Sequence, residues 1–171
     1  SQKSVFKELA VLRQLPVNMR VQITLEVHAP KVSKLKPLLN GMNKNFVAEM
    51  ILLLRPFFLD IGATVGVHNS VPDQIYIVNN GYLQVLKPER GAWVICSIMN
   101  EGSVVALGPA LRGEVVDFKM CAPIKTDVWF IETYELKSVL DFYLDETALL
   151  VADAVKTDSL FRKCCRFWWH N

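Results

Sequence analysis

A chain of 171 residues has room for one ordinary domain, or for one small domain with an attached helical segment. Hydrophobic residues make up 51% of it, with 9 Phe and 4 Trp, which is ample for a packed core and excludes a disordered chain. The formal charge of +2 is nearly balanced, and Lys and Arg are scattered rather than gathered in a stripe, so nothing marks a nucleic-acid surface.

The first third reads as helices. Residues 5–14 place Val5, Leu9 and Leu12 on one face before Leu15-Pro16 breaks the pattern. Pro16 suits the first turn of a second helix, where its missing N–H has no partner to lose. That helix, residues 17–27, presents Met19, Ile23 and Val27 on one side and is stopped by Ala29-Pro30. A third short helix carries Val32, Leu35, Leu38 and Leu39 and ends at Asn40-Gly41, a left-handed cap. Residues 46–54 are a fourth, apolar enough to be buried on most sides, and Arg55-Pro56 ends it.

The middle reads as short strands separated by turn residues. Val65 and Val67 precede a break at His68-Asn69-Ser70, and Ile75, Tyr76, Ile77 and Val78 form an apolar run. Asn79-Asn80-Gly81 follows, supplying residues that tolerate positive φ, and Tyr82, Leu83, Val85 and Leu86 resume on the far side, the pattern of a tight hairpin. Residues 93–98 are another strand, Met99-Asn100-Glu101-Gly102 a turn, and residues 104–107 β-like. Gly108-Pro109 opens a short turn or helical piece through Leu111, and Arg112-Gly113-Glu114 is a loop. Residues 118–122 and 127–131 are the last strands. A short helix follows with Thr133 as its cap and Leu136, Val139 and Leu140 inward. A long amphipathic helix from Asp145 closes the chain, with Leu149, Ala152, Val155, Leu160 and Phe161 at helical spacing. Trp93 and Trp129 read as core residues, and His28 and His68 as surface or capping residues.

Chemistry-bearing constellations are missing. Cys96, Cys121, Cys164 and Cys165 lack C-x-x-C spacing and the three His do not pair at ligand spacing, which argues against zinc and a disulfide framework and suits a reducing cytoplasm. No nucleophile has an obvious paired base, and there is no phosphate-cradling glycine loop, HExxH or carboxylate cluster, so the chain does not read as an enzyme. No run reaches the roughly 20 apolar residues of a membrane span, and no signal peptide is evident. The chain starts at Ser1, without Met, in what already reads as helix, the expectation for a piece of a longer protein.

The order from Gly62 to Val85, with Ile75-Tyr76-Ile77-Val78-Asn79-Asn80-Gly81 at its centre, resembles the first half of the β-roll in cyclic-nucleotide-binding domains; the family's Gly-Asp has become Gly62-Ala63. Upstream, Leu15-Pro16-Val17-Asn18-Met19-Arg20-Val21-Gln22-Ile23, then Asn45-Phe46-Val47 and Leu54-Arg55-Pro56, are similar to the helical C-linker of channels that carry this domain. The subset so indicated comprises cyclic-nucleotide-gated, hyperpolarisation-activated and ether-à-go-go-type channels and the sperm-type sodium/proton exchanger.

The resemblance implies an α+β fold: a helical linker over residues 1–45, an antiparallel, jelly-roll-like β-roll with bracketing helices over residues 46–144, and a C-terminal lid helix and tail over residues 145–171. It also implies a site, where a short helix after Phe-Gly-Glu and an Arg hold the phosphate and the Glu takes the ribose hydroxyl. Aligned without a gap between Gly102 and Ala122, the Phe-Gly-Glu position reads Val105-Ala106-Leu107, ahead of Gly108, and the Arg-Thr-Ala position reads Val116-Asp117-Phe118. The ribose acceptor and the phosphate partner are gone, while Asp117 and Glu114 would repel an anion. Losing roughly 3 to 5 kcal/mol turns a micromolar ligand into a millimolar one. A shifted register with Arg112-Gly113-Glu114 as the Gly-Glu, or Arg112 or Lys119 reaching back into the pocket, would leave weak anion binding.

Three functions are therefore carried forward. The first is a cytoplasmic regulatory domain of an ion channel or ion exchanger with a degenerate pocket and no cofactor, its partners the rest of the transporter and neighbouring subunits. The second is a cAMP or cGMP sensor with an atypical pocket, and the third a structural assembly module, homo-oligomeric when cut free. The tail at residues 162–169 interleaves basic and aromatic residues, which suits the end of the lid helix, a membrane surface or a calmodulin-like partner.

Overall fold

The computed structural model describes residues 10–66 and 69–167, with side chains described through residue 157. Val67, His68, residues 5–9 of the first predicted helix, the side chains of Leu160 and Phe161 and the tail at 162–169 lie outside the described residues or side chains. Two compact units are distinguished, Ser1–Leu52 and Leu53–Asn171.

In the first unit, a helical turn at residues 10–12 precedes α1 (Val17–Val27), α2 (Ala29–Leu39) and α3 (Lys44–Leu53), the last running into the second unit. α1 ends at Val27, ahead of Ala29-Pro30 as expected, and Pro30 occupies the first turn of α2, where no backbone donor is lost. Leu35 and Leu39 are buried, and Gly41 is left-handed with φ +76°, as the cap requires. The expected inward face of α1 is corrected: Met19 and Val27 are exposed and Thr24 is the buried residue. The cause is visible in the chain. Val17, Met19, Val21, Ile23, Leu25 and Val27 alternate at every second position, which on a helix spreads apolar groups around the axis and selects no face. In α3, Phe46, Val47, Ala48, Met50 and Ile51 are all buried, as its composition demands.

The second unit is a roll of two antiparallel four-stranded sheets. One has the order β1 (Arg55–Leu59), β8 (Thr126–Glu132), β3 (Gln74–Asn80) and β6 (Val104–Val105); the other β2 (Thr64–Val65), β7 (Lys119–Cys121), β4 (Leu83–Glu89) and β5 (Ala92–Met99). Three helices complete it: α4 (Leu107–Arg112), α5 (Thr133–Leu140) and α6 (Leu144–Phe167). Tyr76 and Val78 join Leu83, Val85, Val105, Met120 and Val128 in the core between the sheets. Ile75 and Ile77 alternate to the opposite face of β3 and are equally buried, with α4 against β3 and α5 against β8. A sheet covered on both faces accounts for the unbroken apolar run at residues 75–78.

The strands on either side of Asn79-Asn80-Gly81 are not a hairpin, contrary to the sequence reading. β3 pairs with β8 and β6, β4 with β5 and β7, and the turn carries the chain from one sheet to the other. Gly81, at φ +99°, is needed there for space as well as conformation. A Cβ would sit 2.7 Å from Thr126 Oγ1, a buried hydroxyl that is itself 3.2 Å from the Tyr82 carbonyl.

The true hairpin is β4–β5, closed by Arg90 and Gly91, both at positive φ. β7 reaches only Gln84, Val85 and Leu86, so the hairpin's far end stands as a two-stranded arm. Trp93 lies on that arm, which is why it is 41% exposed rather than in the core, with Lys119 Nζ 4.1 Å from its ring centroid. Trp129 is buried as expected.

Glu132, not Thr133, is the N-cap of α5; Thr133 donates instead from Oγ1 to the Pro72 carbonyl at 2.9 Å. Leu136 and Leu140 point inward as predicted. The predicted face of α6 is turned. Leu149 and Val155 are exposed, and Leu150 and Ala154 are buried. Residues 148–152 are apolar in succession and fit several faces. Contacts at the helix start fix the register, with Thr147 Oγ1 donating to the carbonyls of Tyr143 at 2.7 Å and Leu140 at 3.0 Å.

Two stability measurements test these placements. By chemical denaturation, Leu150→Ala should cost about 2–5 kcal/mol and Leu149→Ala under about 0.5 kcal/mol; equal effects would mean the α6 register is wrong. Gly81→Ala should cost about 2 kcal/mol or more, against about 1 kcal/mol at Gly91, where a Cβ meets open space.

Candidate functional site

The site expected from the resemblance is built around the β6–α4 junction. β6 delivers Val105 into the core, and Ala106, at φ +69°, turns the chain in the left-handed region so that α4 can begin at Leu107. That conformation is natural for Gly and costs Ala about 1 kcal/mol. Ala110 N donates to the Ala106 carbonyl at 3.0 Å, opening the helix.

Two cavities meet at Ala106 and Phe118. The first, about 60 Å³, is lined by Val85, Met99, Val104, Val105, Ala106, Leu107, Gly108, Pro109 and Phe118, and is closed by Asp153, Ala154 and Thr157 of α6. It is an apolar pocket with one carboxylate at its edge. The second, about 370 Å³, is lined by Val116, Phe118 and Met120 on one side and by Asp73, Gln74, Tyr76 and Glu132 on another. Among the described residues no Lys or Arg lines either one.

Of the residues singled out from sequence, Val105, Ala106, Leu107 and Gly108 line the first cavity and Val116 the second. Val116 is held by the backbone: its N–H donates to the Ser70 carbonyl, and its carbonyl accepts from Asn69 N, both at 3.0 Å. Its side chain is 6% exposed. Asp117 turns away and pairs with Lys87 at 3.1 Å. Arg112 makes a two-pronged contact with Glu114, Nε to Oε1 at 2.9 Å and Nη2 to Oε2 at 3.0 Å. Lys119 lies over Trp93. Asp117, Arg112 and Lys119 are thus outside both cavities. Asp153 and Thr157 were not legible beforehand; their only signal is their one-turn spacing on α6, and the register that brings them in could not be read from an apolar run.

The wall of the second cavity is a connected polar chain. Tyr76 donates from its hydroxyl to Gln74 Oε1 at 2.6 Å, and Gln74 Nε2 donates to Glu132 Oε1 at 3.0 Å. Arg55 lies 4.0 Å from Glu132 and 2.7 Å from Glu135. Burial pushes the Tyr76 phenol above its ordinary value, and the nearby Glu132 and Asp73 charges push it further the same way. Among the described residues no cluster of His, Cys, Asp or Glu could hold a metal ion, and no helix is long and apolar enough to cross a membrane.

Comparison with known proteins places this architecture. No family model matches the chain. In sequence it is similar to the potassium channel SKOR of Arabidopsis thaliana, 32% identical over 82 residues that cover 48% of this chain and 10% of that protein. It is similar also to the cyclic nucleotide-gated channel alpha-4 of Mus musculus, 21% identical over 154 residues, covering 86% of this chain and 26% of that protein. The chain spans about a tenth of the length of the first relatives it matches. Among solved structures, the C-linker/CNBHD of zELK channels, crystallized in the presence of cAMP, superposes with a TM-score of 0.66 at 19% identity, over 84% of this chain and 71% of that one. The cAMP-bound PfPKA-R superposes with a TM-score of 0.60 at 15% identity, over 65% and 40%. The fold is that of a cyclic-nucleotide-binding domain, an antiparallel β-roll with flanking helices.

The Tyr76 shift carries a pH prediction. A folded-state value raised above the unfolded one contributes stability in full below the ordinary tyrosine range, and that contribution is lost as pH rises through it. Tyr76→Phe should cost about 1 kcal/mol at neutral pH through the lost hydrogen bond, and should flatten the alkaline decline in stability above about pH 10. A decline of unchanged slope in the variant would assign it to another group.

Proposed function

We propose that this chain is a regulatory domain of a membrane ion channel, or of an ion exchanger, in which the cyclic-nucleotide fold is retained and its anion pocket is not. The observation that carries the reading is Val116. The position that resembles the family's phosphate-binding arginine is a buried aliphatic residue, bonded by its backbone to residues 69 and 70.

Three further features support it. Leu107 stands where a ribose-binding carboxylate is expected. The nearby cations Arg112 and Lys119 are engaged elsewhere, and the lid presents the carboxylate of Asp153 to the cavity. A phosphate entering there would lose an Arg pair worth about 1.5–3 kcal/mol per charged hydrogen bond and meet a like charge. Regulation then runs through the lid and the contacts it makes with the rest of the transporter, whose two arrangements are favoured differently by subunit contacts rather than by a small ligand.

Calorimetric titration of the chain with cAMP and cGMP tests this. No binding is expected at micromolar concentration, and a micromolar affinity for either nucleotide would refute the degenerate-pocket reading in favour of a sensor. Restoring the resembling residues, with Ala106→Gly, Leu107→Glu, Val116→Arg and Asp117→Thr together, should raise nucleotide affinity by at least about tenfold.

A further inference from the structure

The larger cavity, about 370 Å³, has a wall whose charge opposes an anion and suits a cation. Asp73 and Glu132 both border it, and the charges of both act on the Tyr76 phenol of the same wall. Arg55 stands 4.0 Å from Glu132 and binds Glu135 more closely, at 2.7 Å. Among the described residues Asp73 has no ion-pair partner. Three carboxylates thus stand against one guanidinium, a formal excess of two negative charges.

Hydrogen-bond polarity points the same way. The Tyr76 hydroxyl directs its proton to Gln74 Oε1, and Gln74 Nε2 donates in turn to Glu132 Oε1. Tyr76 is 8% exposed, and with its proton engaged its oxygen keeps only lone pairs for a guest. The Asp73 carboxylate and Glu132 Oε2 are acceptors as well. A guest that satisfies this wall is therefore a donor, and a charged one. Facing it are Val116, Phe118 and Met120, which suit an apolar or aromatic body. A metal ion is a poor match, because among the described residues no cluster of His, Cys, Asp or Glu could hold one.

We propose that this cavity binds a small organic ammonium ion, its N–H groups on Asp73, Glu132 and the Tyr76 oxygen and its apolar body against Phe118 and Met120. The proposal rests on the reading that the roll has lost its anion pocket, and adds the class of ligand that the remaining side chains fit. No residue of α6 lines the cavity among those described, so binding there does not call on the lid.

Calorimetric titration of the 171-residue chain with phenethylammonium chloride should give saturable binding. It should be at least about tenfold tighter than binding of phenylethanol or phenylpropionate, the neutral and anionic counterparts of similar shape. N-acetyl-lysine amide carries the ammonium without the ring and should bind more weakly; equal or tighter binding would assign the cavity to a lysine of a protein partner and overturn the small-molecule ligand. Asp73→Asn together with Glu132→Gln should weaken amine binding by at least about tenfold. The new Gln keeps an oxygen for Gln74, and circular dichroism checks the fold. Should the pair unfold the roll, Asp73→Asn alone, at an exposed side chain, decides with an expected loss of about threefold or more. The proposal is overturned by a chain with no saturable amine binding, by an alcohol or acid that binds as well as the amine, or by folded variants that bind the amine unchanged. Titration with cAMP judges the underlying reading separately: a chain silent to both cAMP and the amine keeps the degenerate pocket and loses the ammonium site, whereas micromolar cAMP binding removes both.

Discussion

Burial of β3 on both faces is the constraint on which the roll depends. Tyr76 and Val78 fill the space between the sheets while Ile75 and Ile77 face the helices, each worth about 1.5–3 kcal/mol of burial. Such a strand has a weakness: with both faces apolar, a slip of one residue exchanges one greasy face for another, and the pattern alone does not forbid it. Polar contacts at the strand's start supply the register. Gln74 bonds Glu132 across the sheet, Tyr76 bonds Gln74, and Thr133 N and Oγ1 bond the carbonyls of Asp73 and Pro72. Each is worth about 1 kcal/mol, small against the burial, yet together they distinguish one register from the next.

The same comparison of magnitudes applies at the β6–α4 junction. Arg112–Glu114 and Lys87–Asp117 are surface ion pairs of about 0.2–1 kcal/mol, and a phosphate could detach either cation at little cost. Their pairing is therefore not what leaves the cavity without a cation. Position is the reason. Lys87, Arg112 and Lys119 lie outside the cavity lining, where Val116 is buried and its backbone is fixed on both sides by Asn69 and Ser70. The left-handed turn at Ala106 meanwhile persists at the cost of strain.

Much of this was legible in the chain, and the exceptions have physical causes. Strong local signals held where composition was decisive: the burial of α3 followed from its apolar sequence. Where local pattern was ambiguous, tertiary contacts decided. The alternation in α1 named no helix face. Asn79-Asn80-Gly81 has the residues of a hairpin turn, but whether the chain folds back or crosses to another sheet depends on Thr126, 45 residues beyond Gly81, which no short-range rule can see. Trp93 reads as core by residue type and is exposed because β7 is too short to cover the hairpin's end. Asp153 and Thr157 were missed for the reason that misplaced the α6 face: a run of consecutive apolar residues leaves rotation about the helix axis open until Thr147 ties its start.

That rotation matters for how the domain can work. Among its described side chains, α6 holds the roll with two buried residues, Leu150 and Ala154, so its foothold is of the order of a few kcal/mol. A change of lid position needs a differential interaction of similar size, which a bound nucleotide supplies in a domain whose anion pocket is intact. Here the pocket side of the helix offers apolar surface and a carboxylate, while the opposite side offers exposed Leu149, Val151 and Val155.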